Sequence, residues 1–211
     1  MNLDVRNLGA DISYPEGLAL QEELLSQRLA DQISDTLLLL QHSPVYTIGR
    51  TRDQSSLQDP TKLPHPVHEI SRGGQATYHG PGQLVGYPII NLHPYGKDLH
   101  TYLRALETAL IRFCHHYQVP AIQREGFTGI WVGECKLASI GVGVKKWVTY
   151  HGFALNLTPE SLPAFQAITP CGLAGVSITC LSKEMKTPQS LTGCEDIFAK
   201  FFASEMDSLA S

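Results

Sequence analysis

Apolar residues recur along this chain with two periods, and those periods predict most of its elements. Leu99, Leu103, Leu106, Leu110, Phe113 and Tyr117 follow one another at steps of 4, 3, 4, 3 and 4, the spacing that puts them on one face of a helix. Ser13-Tyr14-Pro15-Glu16 has the form of a capping box with proline in the first turn. It predicts a second helix to about Leu29, with Leu18, Leu25 and Leu29 in its buried stripe. A third helix is expected over 194–206, on Ile197, Phe198, Phe201 and Phe202, and a short one over 162–167. Residues 36–41 form a continuous apolar run of strand length, and 45–48 resumes after the break at His42-Ser43-Pro44. Residues 67–70 and 83–91 also read as strands. Residues 129–132, 136–144 and 147–157 are rich enough in β-branched and aromatic residues for an antiparallel meander. Residues 53–66, polar and holding three prolines, read as a surface loop. Strands and helices come in runs, not in strict alternation. The expected class is therefore α+β: a single domain over 1–211, with a mixed β-sheet flanked by helices packed largely on one face.

Composition narrows the picture. The 211 residues are 43% hydrophobic and 17% charged, an ordinary globular mixture with enough length for one core. A net charge of −4 argues against a nucleic-acid partner, although Arg50, Arg52 and Lys145-Lys146 could form a local basic patch. No run of 18 apolar residues occurs, so no membrane span is expected. The first six residues lack the basic-then-apolar build of a signal peptide. Five cysteines, at 114, 135, 171, 180 and 194, are odd in number and contain no CxxC. That pattern argues against a disulfide framework or a zinc site and suggests reduced thiols in the cytoplasm.

Against this background one segment stands apart. Residues 72–84 hold four glycines, a proline, Arg72 and His79 within 13 positions. Glycine removes Cβ, so backbone N–H groups can approach a ligand; a glycine-rich hairpin turn is the plainer reading. Cys171 lies between Pro170 and Gly172, where the following amide can swing toward a substrate and stabilise an oxyanion. A lone cysteine is more often a small core residue, and a lysine at a strand start, such as Lys136, is usually solvated. Ser139-Ile140-Gly141 and Gly152-Phe153-Ala154 are small-residue windows in bulky strands, fit for a bulge, a packing point or a ligand wall. Gly141-Val142-Gly143 is only GxG, and no phosphate-binding GxxxxGK[ST] occurs.

Four segments in order, Arg72-Gly73-Gly74-Gln75-Ala76-Thr77-Tyr78-His79-Gly80-Pro81-Gly82-Gln83-Leu84, Lys136-Leu137-Ala138-Ser139-Ile140-Gly141, His151-Gly152-Phe153-Ala154-Leu155-Asn156 and Pro170-Cys171-Gly172, resemble the signatures of the octanoyltransferases of lipoate biosynthesis. The resemblance runs from about Leu8 to the C-terminal helix. It implies the biotin/lipoate protein ligase-like fold. It also implies Cys171 as a nucleophile partnered by Lys136, and acyl binding by Arg72, Gly73, Gly74, Gln75, Ala76, Thr77, Tyr78, His79, Ser139, Ile140, Gly141, Gly152, Phe153 and Ala154.

The implied activity moves an octanoyl group from octanoyl-acyl carrier protein to a lysine of lipoyl domains. The acceptors would be 2-oxoacid dehydrogenase complexes and the glycine cleavage H protein. No cofactor and no metal are implied, which agrees with the lack of a nucleotide motif. The need for Lys136 is physical: a free thiol titrates near 8.5, so little thiolate exists at neutral pH unless a cation stands by. His79 is expected to orient or stabilise an oxyanion, not to accept the thiol proton. An ATP-dependent ligase on the same fold, a cysteine hydrolase using His79 or His151, and a silent acyl-binding module are the alternatives.

Overall fold

The computed structural model describes residues 2–49, 55–71, 74–172 and 175–209, with Cys171 described in its backbone alone. In chain order the elements are β1 (Leu3–Asn7), α1 (Tyr14–Leu29), β2 (Asp35–Leu40), β3 (Val45–Ile48), β4 (Val67–Glu69), β5 (Thr77–His79), β6 (Gln83–Ile89) and α2 (Leu99–His116). Then follow β7 (Ile122–Arg124), β8 (Phe127–Val132), β9 (Cys135–Lys145), β10 (Val148–Asn156), β11 (Ser177–Ile178), α3 (Leu181–Glu184) and α4 (Cys194–Leu209).

The strands form two sheets. The larger runs β1-β2-β6-β10-β9-β8-β7, with β11 added alongside β9; the smaller runs β4-β3-β5. Both are mixed: β1–β2, β9–β11 and β3–β4 are parallel, and the other pairs antiparallel.

The expectation of helices largely on one face is corrected. In β2 every residue is buried, and its leucines divide: Leu37 and Leu39 join the cluster that holds Phe113 of α2 and Phe198 and Phe202 of α4. Leu38 and Leu40 join Leu24 and Leu25 of α1 on the other face. A strand covered on both faces reads as an unbroken apolar run, which is why the sequence shows no alternation there. Helices therefore flank the sheet on both sides.

Local chemistry sets the helix starts. Ser13 Oγ accepts the Glu16 N–H at 3.3 Å to cap α1, and Asp98 accepts from His100 and Thr101 at 2.8 and 3.2 Å to cap α2. The buried stripe of α1 is Tyr14, Gly17, Gln21, Leu24 and Leu25, so Leu18 and Leu29 lie at its margin and a glutamine lies inside it. The stripe of α2 matches its spacing, but Leu99 and Leu103 are only half-buried, for a reason that the site supplies.

Three further differences matter. The expected loop at 53–66 carries two 3₁₀ turns, Ser55–Leu57 and Pro60–Lys62, and buries Ser56 and Leu57. The glycine-rich segment contains strand β5, and the short helix expected over 162–167 is a 3₁₀ turn at Pro163–Ala167. Strands β1, β7 and β11 were not expected; at two to five residues they are too short for a period to declare them.

Candidate active site

A cavity of about 360 Å³ opens between β9 and β10 of the large sheet and the segment 74–79, at the lower end of the range of about 300–1,000 Å³ for small-molecule sites. The two small-residue windows meet here. Ala154 pairs with Ser139, Phe153 with Ile140 and Gly152 with Gly141, and all six line the cavity. Tight packing and a ligand wall are both present at Gly152, because a Cβ there would come within 2.2 Å of the Gly86 carbonyl oxygen. The preceding His151 sits at φ 56 with its N–H on Gln21 Oε1 at 2.9 Å, which assigns the buried glutamine of α1 a partner.

Of the glycine-rich segment, Gly74, Gln75, Thr77 and His79 line the cavity. Ala76 and Tyr78 do not. Successive strand residues point to opposite faces, and these two join the cluster of Tyr46 and Phe165 beneath the small sheet. Arg72 and Gly73, and the patch residues Arg50 and Arg52, lie outside the described residues. Tyr14, Tyr87, His151, Leu99, Leu103 and Phe127 complete much of the wall. Leu99 and Leu103 kept their helical period in the sequence but serve the cavity, which explains their partial exposure.

Lys136 lines the cavity and is 3% exposed, so the solvated reading does not hold. Its Nζ lies 5.5 Å from the centre of the Trp131 ring, a cation–π distance. Cys135, the preceding residue of β9, is partly exposed and does not line the cavity.

The segment bearing Cys171 is tied down on both sides. Upstream, Thr169 N–H donates to Ser56 O at 2.7 Å, and Ser56 Oγ accepts from Ala76 N–H at 3.1 Å. Downstream, β11 pairs Ile178 with Lys136, and Thr179 N–H donates to Lys136 O at 3.0 Å. Residues 170–172 form a 3₁₀ turn in which Gly172 has φ +70, and a Cβ at Gly172 would lie 2.1 Å from Gln75 Oε1. The backbone beside Cys171 thus packs on a cavity-lining residue; the Cys171 side chain lies outside the described residues. Gly172→Ala is expected to strain the turn and displace Gln75, slowing acylation at least about tenfold at a cost of about 1 kcal/mol or more in stability. Unchanged single-turnover rates would refute it.

Two buried networks hold the imidazoles. His79 Nδ1 donates to Gln83 Oε1 at 3.3 Å, because Gln83 Nε2 is committed to Tyr78 O at 3.0 Å and Asn156 Oδ1 at 2.9 Å. Asn156 Nδ2 continues to Thr179 O at 3.0 Å, next to the Lys136 contact. Gln83 and Asn156 were not singled out in the sequence, although both lie within motifs quoted there.

His42 Nδ1 donates to Ile12 O at 2.8 Å, and its Nε2 accepts from the Tyr87 hydroxyl at 2.7 Å. Burial lowers its pKa from 6.5 to about 4, against the smaller opposing effect of the Ile12 bond. Between those values the unfolded chain takes up a proton that the folded one refuses. Stability is thus full above about 6.5 and falls with acidification at up to roughly 1.4 kcal/mol per pH unit, reaching on the order of 3 kcal/mol by pH 4. Urea unfolding at pH 7 and 4.5 checks this: His42→Gln should flatten the slope, and an equal slope in both proteins would contradict the assignment.

Two of the other thiols are held toward the neutral form. Burial pushes the Cys114 thiol well up, and burial together with Glu195 pushes Cys194 up to about 12. Cys114, Cys135, Cys180 and Cys194 are all free of disulfides. Among the described residues no group of three or more His, Cys, Asp or Glu could hold a metal, and no helix is long and apolar enough to cross a membrane.

Residues 13–203 of the chain match the family described as the lipoyl protein ligase A/B catalytic domain, a class to which the mixed sheet covered by helices belongs. The fold is shared with lipoate-protein ligase A bound with ATP (TM-score 0.71, 14% identity, 99% of this chain and 91% of that one). It is also shared with the biotin protein ligase of Aquifex aeolicus (TM-score 0.57, 12% identity, 99% and 70%). A protein named octanoyltransferase in Geobacter sulfurreducens is 52% identical over 175 residues, 83% of this chain and 73% of that protein. The chain belongs to the octanoyltransferase family, and it is an acyltransferase.

Proposed function

We propose that this enzyme takes an octanoyl group from octanoyl-acyl carrier protein onto Cys171 and passes it to a lysine of a lipoyl domain. The Cys171 thiolate attacks the carrier thioester carbonyl; the C–S bond to phosphopantetheine breaks, and that thiol leaves with the proton the Lys136 ammonium gives up, which leaves Lys136 neutral. The acceptor amine then attacks the acyl-enzyme, an amide forms, and Cys171 is released. Lys136 stabilises the thiolate in the first half and takes the amine proton in the second. Thioester exchange is nearly balanced and amide formation is downhill, so no nucleotide is required.

The observation that carries this reading is the buried Lys136 in the wall of a partly apolar cavity, one strand pairing from the segment that bears Cys171. Ile140, Phe153, Ala154 and the glycines of both windows would sheathe the chain. Burying the seven alkyl carbons of an octanoyl chain contributes roughly 5–6 kcal/mol at about 0.8 kcal/mol per CH₂. Gly74, Gln75, Thr77 and His79 would bind the acyl group with the window residues, Ala76 and Tyr78 supporting from behind, and the resemblance adds Arg72 and Gly73 to that loop. We propose acceptors among the 2-oxoacid dehydrogenase complexes and the glycine cleavage H protein, and a cytoplasmic location suited to a reduced thiol.

Intact-protein mass spectrometry tests the scheme. Mixing with octanoyl-carrier protein should add one octanoyl mass, and adding a lipoyl domain should move it to that domain without ATP. Transfer that needs ATP and free octanoate would favour a ligase, and loss of the group to water alone would favour a hydrolase.

A further inference from the structure

Helix α2 buries a carboxylate. Glu107 is 0% exposed in an otherwise apolar face, beside Leu106 and Leu110. Taking a carboxylate out of water costs several kcal/mol unless strong partners replace the solvent, so its partners define its use. Oε2 accepts from Arg104 Nη1 at 2.5 Å, and Oε1 accepts the backbone N–H of Gly129 at 2.9 Å. Arg104 is half-exposed and could reach water instead. The bond that draws Glu107 inward is the one to Gly129.

Gly129 touches Lys136. Its φ is +116, and a Cβ there would lie 2.4 Å from Ala138 O and 3.0 Å from Lys136 Cε. The lysine stem thus runs over a bare α-carbon. On the same two strands the register slips: Ile130 pairs with Ala138 and Trp131 with Lys136, so Leu137 is the extra residue of a bulge in β9. Bulges bend a strand and re-aim the neighbouring side chain, here the lysine. Among the described residues, the charged and titratable groups around this corner include Glu107 and Arg104 of α2, Arg124 of β7 at 5.1 Å from the Trp131 ring with its partner Glu134, Cys135 of β9 and His79 across the cavity.

We infer that Glu107 is a positioning residue: by holding the Gly129 amide it fixes the bulged corner of β8 and β9 that aims Lys136 into the cavity. Glycine has the freest backbone of any residue, so an unheld Gly129 would let the corner relax and the ammonium drift from its station. The inference rests on Lys136 being the partner of Cys171. Because Arg104 already balances the charge, reach matters and charge does not.

Reach and charge can be separated. Glu107→Gln keeps the reach and an acceptor oxygen without charge; Glu107→Asp keeps the charge and loses one methylene of reach. Single-turnover acylation by octanoyl-carrier protein, followed from pH 6 to 9.5 beside thermal unfolding, should leave Glu107→Gln within about threefold of wild type throughout. Glu107→Asp should be slowed at least about tenfold at pH 7 and less than about threefold at pH 9, where hydroxide makes thiolate without help. Glu107→Asn, equally short, serves if the aspartate variant does not fold. A Glu107→Asp rate equal to wild type, a loss that is the same at every pH, or a Glu107→Gln enzyme as slow as Glu107→Asp would each overturn the inference. A wild-type protein that accepts no acyl group would instead sink the catalytic reading, and this inference with it.

Discussion

Replacing Cys171 by alanine is expected to abolish the covalent acyl-enzyme and to cut octanoyl transfer by at least about 10⁴-fold, the scale on which removal of an acting nucleophile is felt. Alanine fills the same 3₁₀ turn between Pro170 and Gly172 and leaves the backbone contact with Gln75 in place. The fold and the cavity should therefore survive, and thermal unfolding should be unchanged within about 0.5 kcal/mol. The other four thiols offer no substitute: Cys114 and Cys194 are driven toward the neutral thiol by burial, Cys180 is buried, and Cys135 does not line the cavity. Mass spectrometry after exposure to octanoyl-carrier protein reads the outcome directly. Retained labelling in Cys171→Ala would transfer the role to another side chain and end the scheme.

The second large effect falls on Lys136 and differs between the two half-reactions. For acylation, loss of the ammonium returns the thiol toward its ordinary value of about 8.5, leaving roughly 3% thiolate at pH 7. Lys136→Ala should therefore acylate about 30-fold more slowly at pH 7 and nearly normally at pH 9. Transfer to the lipoyl lysine should not recover in the same way. The acceptor amine titrates near 10.4, and the missing base would have contributed about 10²–10⁴-fold. Rates of the two steps measured separately against pH check both halves. A loss of acylation that is constant with pH would separate Lys136 from the thiolate, and rapid transfer at pH 7 would deny it the role of base.

The helices were largely legible because their signals are local. Ser13 announces a cap, and the 4-3-4-3-4 rhythm of α2 survives in the folded chain. The strands of the meander were legible for the same reason, to within one or two residues. The split of β2 between two cores was not, since Leu37 to Leu40 look alike until something is laid on each face. Nor was β5: three residues among glycines carry no period, yet that strand decides that Thr77 and His79 meet the cavity while Tyr78 turns away.

The chemistry shows the same division. The order of residue types along the chain by itself determined the family, the candidate pair Cys171 and Lys136, and the two small-residue windows, because a long motif is a property of the string. Only the tertiary structure decided that those windows lie opposite one another in register, that Lys136 is buried, and that Glu107 reaches across from α2 to the strand beside it. Register, burial and the partner of a buried charge depend on contacts between residues distant in the chain, and no local pattern encodes them.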